Sequence, residues 1–453
     1  MSCLRHSILI LCLSIIPGIH VVAQSNGTVS SYSRFGLGLP ADASQGLNRS
    51  MGGVAQGLRA SYILNQQNPA SYSAIDSLTF LFDVGMSVNR TFMSQNGTTK
   101  GLNNAGFEYV NAAFRLRRNL GMSIGFQPYT RIGYDFYTDQ NTGSFNTNGD
   151  PILQHVEFRS ANSNNMQLGG GLHQVYIGAG WQPFNGFSVG ANAGFLWGNV
   201  NHKIVQTITE NGSTTSTDGN TSIFYKASLL SWKGDIGLQY QTQLNKDDRL
   251  TFGATVGIGH KIGSEAQYIS TQANATSDTL TTTNGFEIPM TYSFGVGWQH
   301  EEKLTLAADV TLEQWGKCTT PQVSAGTYQP MTGAYQDRLR FNAGMEYVAA
   351  RYDRDFSSRI SYRAGAFYST PYLKINGENG PREMGLTAGI GIPITNYWAN
   401  LSYLNIYAPS YVNIGLQWTN RSASAAGLPT ENIFQVNIGL SFSERWFLKW
   451  KFK

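Results

Sequence analysis

The sequence predicts an all-β fold, a transmembrane antiparallel β-barrel with an N-terminal plug or hatch inside it. Three observations predict this. Apolar residues alternate with small polar ones over strand-length stretches. Short turn-like links alternate with long Asn/Ser/Thr/Gly-rich ones. Beyond residue 23 no apolar run approaches the roughly 18 residues of a helical membrane span.

Composition narrows the class further. The 453 residues are 41% hydrophobic and 12% aromatic, yet only 13% charged, against about 25% charged in soluble domains. Mean hydropathy is nevertheless slightly polar, at −0.24. Low charge with mild hydropathy fits neither an ordinary soluble domain nor an oily helical membrane protein. Abundant aromatics and few charges exclude disorder, and 3 cysteines exclude a disulfide scaffold. The net charge of +4 is dispersed, with no basic stripe, so nucleic acid is not an expected partner.

The chain opens on an export signal, residues 1–23. Arg5 and His6 precede the apolar run Ile8 to Ile16, and Val21-Val22-Ala23 supplies a cleavage site before Gln24. The run is short and broken by Pro17, which disfavours a first membrane helix. Cleavage leaves Cys318 as the one cysteine, with no internal disulfide possible.

Residues 24–76 do not alternate. They pass through a Gly-rich stretch to Asn68-Pro69-Ala70. A segment this long before the first strand is expected inside the barrel, whose lumen would otherwise stand open.

Residues 77–453 form the barrel. Phe434, Val436, Ile438, Leu440 and Phe442 alternate with Gln435, Asn437, Gly439 and Ser441. Met384 to Ile392, Leu304 to Leu312 and Leu339 to Tyr347 repeat the pattern. The polar faces consist mainly of Gly, Ser, Asn, Gln and Thr, as an enclosed interior allows, and the apolar faces need lipid. Trp181, Trp197, Trp232, Trp298, Trp315 and Trp418 suit two interfacial girdles. Short links fall at 117–119, 183–186, 245–248 and 301–303, and long loops near 91–104, 138–166, 207–222, 267–285, 316–336, 370–382 and 420–430. This spacing gives about 14 strands; alternation within 394–410 leaves about 16 as the alternative count.

A family resemblance rests on a set of ordered motifs. Gly52-Gly53-Val54-Ala55 followed by Asn68-Pro69-Ala70 resembles the N-terminal hatch of the FadL/TodX family. Gly125-Phe126-Gln127-Pro128-Tyr129, Gly169-Gly170-Gly171-Leu172, Ile288-Pro289-Met290-Thr291-Tyr292, Trp315-Gly316-Lys317 and the ending from Glu444 to Lys453 are similar to Bacteroidota-type members. The resemblance implies a 14-strand barrel of the Gram-negative outer membrane that passively carries long-chain fatty acids or other hydrophobic small molecules. The alternative is a non-transporting structural or accessory subunit of an outer-membrane assembly or secretion complex, since fold does not fix function. The implied partners are outer-membrane lipid, a fatty acid-like ligand, the barrel-assembly machinery during insertion, and other outer-membrane proteins. The chain departs from the pattern by ending in Lys453 after Phe452.

Enzymatic chemistry is not expected. Gly121-Met122-Ser123-Ile124-Gly125 and Gly186-Phe187-Ser188-Val189-Gly190 match the hydrolase elbow string. Both lie in alternating strands, where that string lacks its strand-to-helix turn. The 7 histidines show no HExxH spacing, so no metal or cofactor is expected. Strand parity points Asp235, Asp309, Glu313, Arg340, Glu346 and Arg363 inward. They would either line a polar path or hold the plug to the wall. Gly52, Gly53, Asn68, Pro69 and Ala70 would form either a moving hatch or a rigid turn, since Pro fixes its own backbone and restrains its neighbour.

Overall fold

The computed structural model describes residues 28–445 apart from 78, 96, 146–150, 161–169, 211–212, 215–219, 273–274, 352, 354, 395–409 and 424–427. The export signal at 1–23, the start of the expected plug at 24–27 and the C-terminal run from Trp446 lie outside the described residues.

A closed antiparallel wall of 14 strands forms the barrel. The wall strands are β1 (Thr79–Gln95), β2 (Thr98–Arg117), β3 (Leu120–Pro128), β4 (Gly171–Phe184), β5 (Phe187–Glu210), β6 (Thr221–Gln243) and β7 (Asp248–Gly257). They continue as β8 (Thr291–His300), β9 (Leu304–Glu313), β10 (Arg338–Val348), β11 (Ser361–Ser369), β12 (Arg382–Pro393), β13 (Tyr411–Ser422) and β14 (Thr430–Arg445). Each pairs with its sequence neighbour, and β14 pairs with β1 to close the ring. Closure satisfies every edge, which lipid demands of a spanning sheet. β12 pairs directly with β13, from Pro393–Tyr411 onward, so the wall has no place there for the additional pair of the 16-strand alternative.

The two faces follow the alternation. On β14, Phe434 and Ile438 are about half exposed to the surroundings while Asn437 is buried inside. Met86, Ile177, Phe294 and Leu416 point outward in the same way. Of the tryptophans expected in the girdles, Trp181 and Trp232 are exposed on this outer face. Trp315 is not a girdle residue. It lies just past β9 in a short 3-10 turn, 3% exposed, packed among Tyr335 and Tyr372 inside the loop end of the barrel.

Several expected loops are strand instead. In 91–104, β1 runs to Gln95 and β2 begins at Thr98. Within 138–166 the chain forms a hairpin of Asp135–Phe145 with Pro151–Arg159. Within 267–285 it forms Glu265–Gln272 with Asp278–Thr283. Asn, Ser and Thr read as loop, yet above the membrane they tolerate a two-sided polar ribbon whose backbone is paired. The hairpins therefore extend beyond the apolar band.

At Pro128 the chain leaves the wall and turns inward. The β2–β3 ladder reaches Val110–Phe126, and Thr130–Arg131 then pairs with Leu39–Pro40 of the N-terminal segment. His260–Ile262 and Phe286–Ile288 pair apart from the wall ladder. With Tyr32, Leu37, Ile132, Trp315, Tyr335 and Tyr372 these segments build a hydrophobic cluster at the loop end.

Candidate functional site

The N-terminal segment from residue 28 to 76 makes contacts around the whole circumference of the wall. Ser30 donates to both carboxylate oxygens of Glu431 on β14, at 2.8 Å. The Gly52 amide donates to Thr387 on β12 at 2.9 Å. The Ala55 and Gln56 amides donate to Asp309 on β9 at 2.5 and 3.0 Å. Asn68 donates to the Leu238 carbonyl on β6, and Tyr72 to Asn192 on β5. A single segment can reach all these strands only by occupying the lumen.

Wall glycines make this fit possible. Gly121, Gly180, Gly190 and Gly237 face one another directly across β3, β4, β5 and β6. Gly344 and Gly365 do the same across β10 and β11. A methyl group on Gly190 or Gly180 would overlap the Pro69 backbone, and one on Gly121 would overlap the Tyr72 carbonyl. On Gly344 it would overlap the Met51 carbonyl, and on Gly365 the Gly52 amide. At these glycines the inner wall is bare backbone against the lumenal chain. Gly52 and Gly53 complete the fit from the other side, with φ of 70° and 82°, which side-chain-bearing residues seldom adopt.

The Asn68-Pro69-Ala70 element caps a 3-10 turn over Pro69–Ala74. Asn68 is fully buried; its amide nitrogen donates to the Gln56 and Leu238 carbonyls at 3.1 and 3.2 Å, and its oxygen accepts the Ala70 amide. Every polar atom of that side chain is thus bonded, two bonds within the segment and one to the wall. Arg59 braces the same turn through the Ala70 carbonyl and Ser73. Burial pulls its pKa down to about 10.

The charged candidates fall into separate places. Glu346 and Arg363 are joined at 3.0 Å, with Arg351 on the other Glu346 oxygen at 2.9 Å. Glu313 lies 3.4 Å from Arg338 and accepts the Trp315 indole at 2.6 Å. Arg340 sits near Asp42 and Glu383, at 4.0 and 3.8 Å. Asp235 pairs with Lys233, and Asp309 holds the Ala55 and Gln56 amides. A polar cavity of about 190 Å³ joins Asp235, Glu313 and Arg340 along one side, with Asp42 in its lining. Glu346 and Arg363 are not part of it.

Sequence reading missed Arg49, Glu108, Arg351, Arg421 and Glu431. Arg49 meets Glu108 at 2.9 Å, and Arg131 meets the same carboxylate at 2.6 Å. Arg421 bridges Glu383 and Glu431, both at 2.9 Å. Glu108 was hidden by a β-bulge. Gly85 pairs with Tyr109 and Met86 with Phe107, so the extra residue Glu108 faces inward beside Tyr109. The two elbow-like serines lie in strand and serve packing: Ser123 donates to the Ala112 carbonyl, and Ser188 bonds Ser73 of the lumenal segment.

A second cavity, of about 790 Å³, lies at the loop end, lined by Arg34, Tyr134, Phe158, His202, Tyr225 and Tyr328 among others.

A model of the BamG family matches residues 4–453, nearly the whole sequence. The chain belongs to the BamG family. In structure this BamG-family chain is similar to the toluene transporter TbuX of Ralstonia pickettii, at 16% identity and a TM-score of 0.55, covering 92% of this chain and 99% of that one. It is similar to the P. putida toluene transporter TodX at 15% identity and a TM-score of 0.55, covering 90% and 100%. A Pseudomonas aeruginosa FadL homologue follows at 10% identity and a TM-score of 0.53, covering 90% and 98%. At such identities the likeness establishes a shared FadL/TodX-like outer-membrane barrel fold. No curated protein is detectably similar in sequence.

Proposed function

We propose that this chain is a closed outer-membrane barrel, with residues 28–76 as a fixed plug, acting as a non-transporting accessory subunit of an outer-membrane assembly or secretion complex. The observation that carries this reading is the fit of the plug backbone against the paired wall glycines. A hatch that swings must slide past that surface and break several buried polar contacts together. Those include Arg49–Glu108, the Asp309 bonds to Ala55 and Gln56, and the Ser30–Glu431 pair. Buried charges left without partners are costly, at about 3–5 kcal/mol for each broken pair. A barrel held shut in this way is suited to use through its outer surface and its long hairpins. The test is purification of the native protein from outer membranes in mild detergent. Stoichiometric co-purification with other outer-membrane proteins supports a subunit, and a monomer contradicts it.

A second reading is favoured by the cavity of about 790 Å³ at the loop end and by the transporter-like fold. In it the barrel takes up hydrophobic small molecules from outside. Vesicles carrying the protein and accumulating a hydrophobic solute faster than empty vesicles would support this reading against the first.

A further inference from the structure

We propose that the loop-end cavity is a binding site for a small planar aromatic anion, independent of any passage through the barrel. At about 790 Å³ its size falls within the range of small-molecule sites. Its walls include flat rings. Phe158 lines it and stacks on Phe136 with centroids 5.1 Å apart, and Tyr225 and Tyr328 lie 6.4 Å apart on its lining. Its charged lining residues are Arg34, Lys226 and Lys374, with no Asp or Glu among them.

Arg34 is the deciding residue. Its guanidinium lies over the rings of Phe35, Phe136 and Phe158, at 4.6, 5.6 and 4.7 Å. Among the described residues no carboxylate comes within 4.0 Å of it, whereas Arg49, Arg338, Arg351, Arg363 and Arg421 each have one. Ring faces hold the cation in place but leave its in-plane N–H donors free for an anion. A carboxylate or phosphate on a flat apolar body meets both demands. The fork would take the charge, and the neighbouring rings would take the body. A neutral hydrocarbon leaves the cation uncompensated, and a flexible alkyl chain gains less from stacked ring walls.

The test uses full-length protein in lipid nanodiscs and three probes, 2-naphthoate, naphthalene and laurate, by isothermal titration. We expect 2-naphthoate to bind more tightly than either of the others. Arg34→Gln should weaken it about tenfold or more, while Arg34→Lys, which keeps the charge but lacks the planar fork, should recover only part of the affinity. Heat-modifiable electrophoretic mobility reports that each variant is folded. Lys374→Gln, at an exposed position, gives a second reading that does not depend on the Arg34 variants folding, and should weaken 2-naphthoate but not naphthalene. Equal binding of naphthalene and 2-naphthoate, tighter binding of laurate, or folded Arg34→Gln and Lys374→Gln with unchanged affinity would each overturn the proposal.

Discussion

Arg49 of the lumenal segment and Glu108 of β2 lie 2.9 Å apart, each side chain only 3% exposed. Glu108 reaches this position because a bulge turns two successive residues inward. One backbone irregularity in the wall thus supplies the anion that holds the helical turn Gly46–Arg49 of the N-terminal segment. Arg49→Ala leaves a buried carboxylate short of one partner, with Arg131 still in place. We expect a loss of about 3 kcal/mol, read as a lower midpoint in guanidinium unfolding of the protein in detergent.

The glycine contacts make a sharper prediction. Gly344→Ala pushes a methyl group into the Met51 carbonyl. Overpacking of this kind costs about 1–3 kcal/mol, and it should expose residues 28–76 to trypsin added from the plug side. Gly263→Ala is the control, because a methyl group there meets only one atom, 3.9 Å away. Equal protease resistance in the two variants would argue against a tight plug.

Asn68 distinguishes a rigid turn from a movable one. Asn68→Ala removes the two donated hydrogen bonds and the cap of the Pro69–Ala74 turn, at a cost of about 1–3 kcal/mol. Asn68→Asp should be worse than alanine. It keeps the cap oxygen but sets a carboxylate against the Gln56 and Leu238 carbonyls, where donors are needed. The order of the two variants in thermal unfolding checks the assignment.

Acid should loosen the plug through Asp42. Burial acts to raise the pKa of its carboxyl. Arg49, Arg340 and the hydrogen bonds from Ser44 outweigh this and hold it at about 2, against 3.8 when free. A depressed pKa in the folded state contributes stability above the unfolded value, and that contribution is lost as pH falls from about 4 toward 2. It is on the order of 1–2 kcal/mol. The stability difference between the natural protein and Asp42→Asn should therefore shrink across this interval. A constant difference down to pH 2 would contradict it.

The barrel was legible because lipid on one side enforces strict alternation, as along Phe434 to Phe442. The strand count followed from the seven long polar links, each joining a pair of strands. Where lipid is absent the signal fails. Thr98 to Asn104 and Glu265 to Gln272 are strands with polar residues on both faces, and polarity alone reads as loop. Trp315 looked like a girdle residue because a large aromatic at a strand end carries no mark of which way it turns. Glu108 and Tyr109 broke parity at a bulge, which no residue type announces. The inward glycines were visible, but an inward glycine reads the same whether it faces water or the backbone of Pro69. The partners of Arg49 and Arg421 are set by register and by the path of the N-terminal segment, which has no periodicity to read.

Hydrogen–deuterium exchange of the full-length protein in lipid nanodiscs tests the fixed plug most directly. The amides of Ala55 and Gln56, bonded to Asp309, and of Gly52, bonded to Thr387, should be protected as long as those of the wall strands β9 and β12. Exchange of the peptides covering 50–76 within seconds, while the wall remains protected for hours, would show a segment that leaves its seat and would contradict the closed barrel.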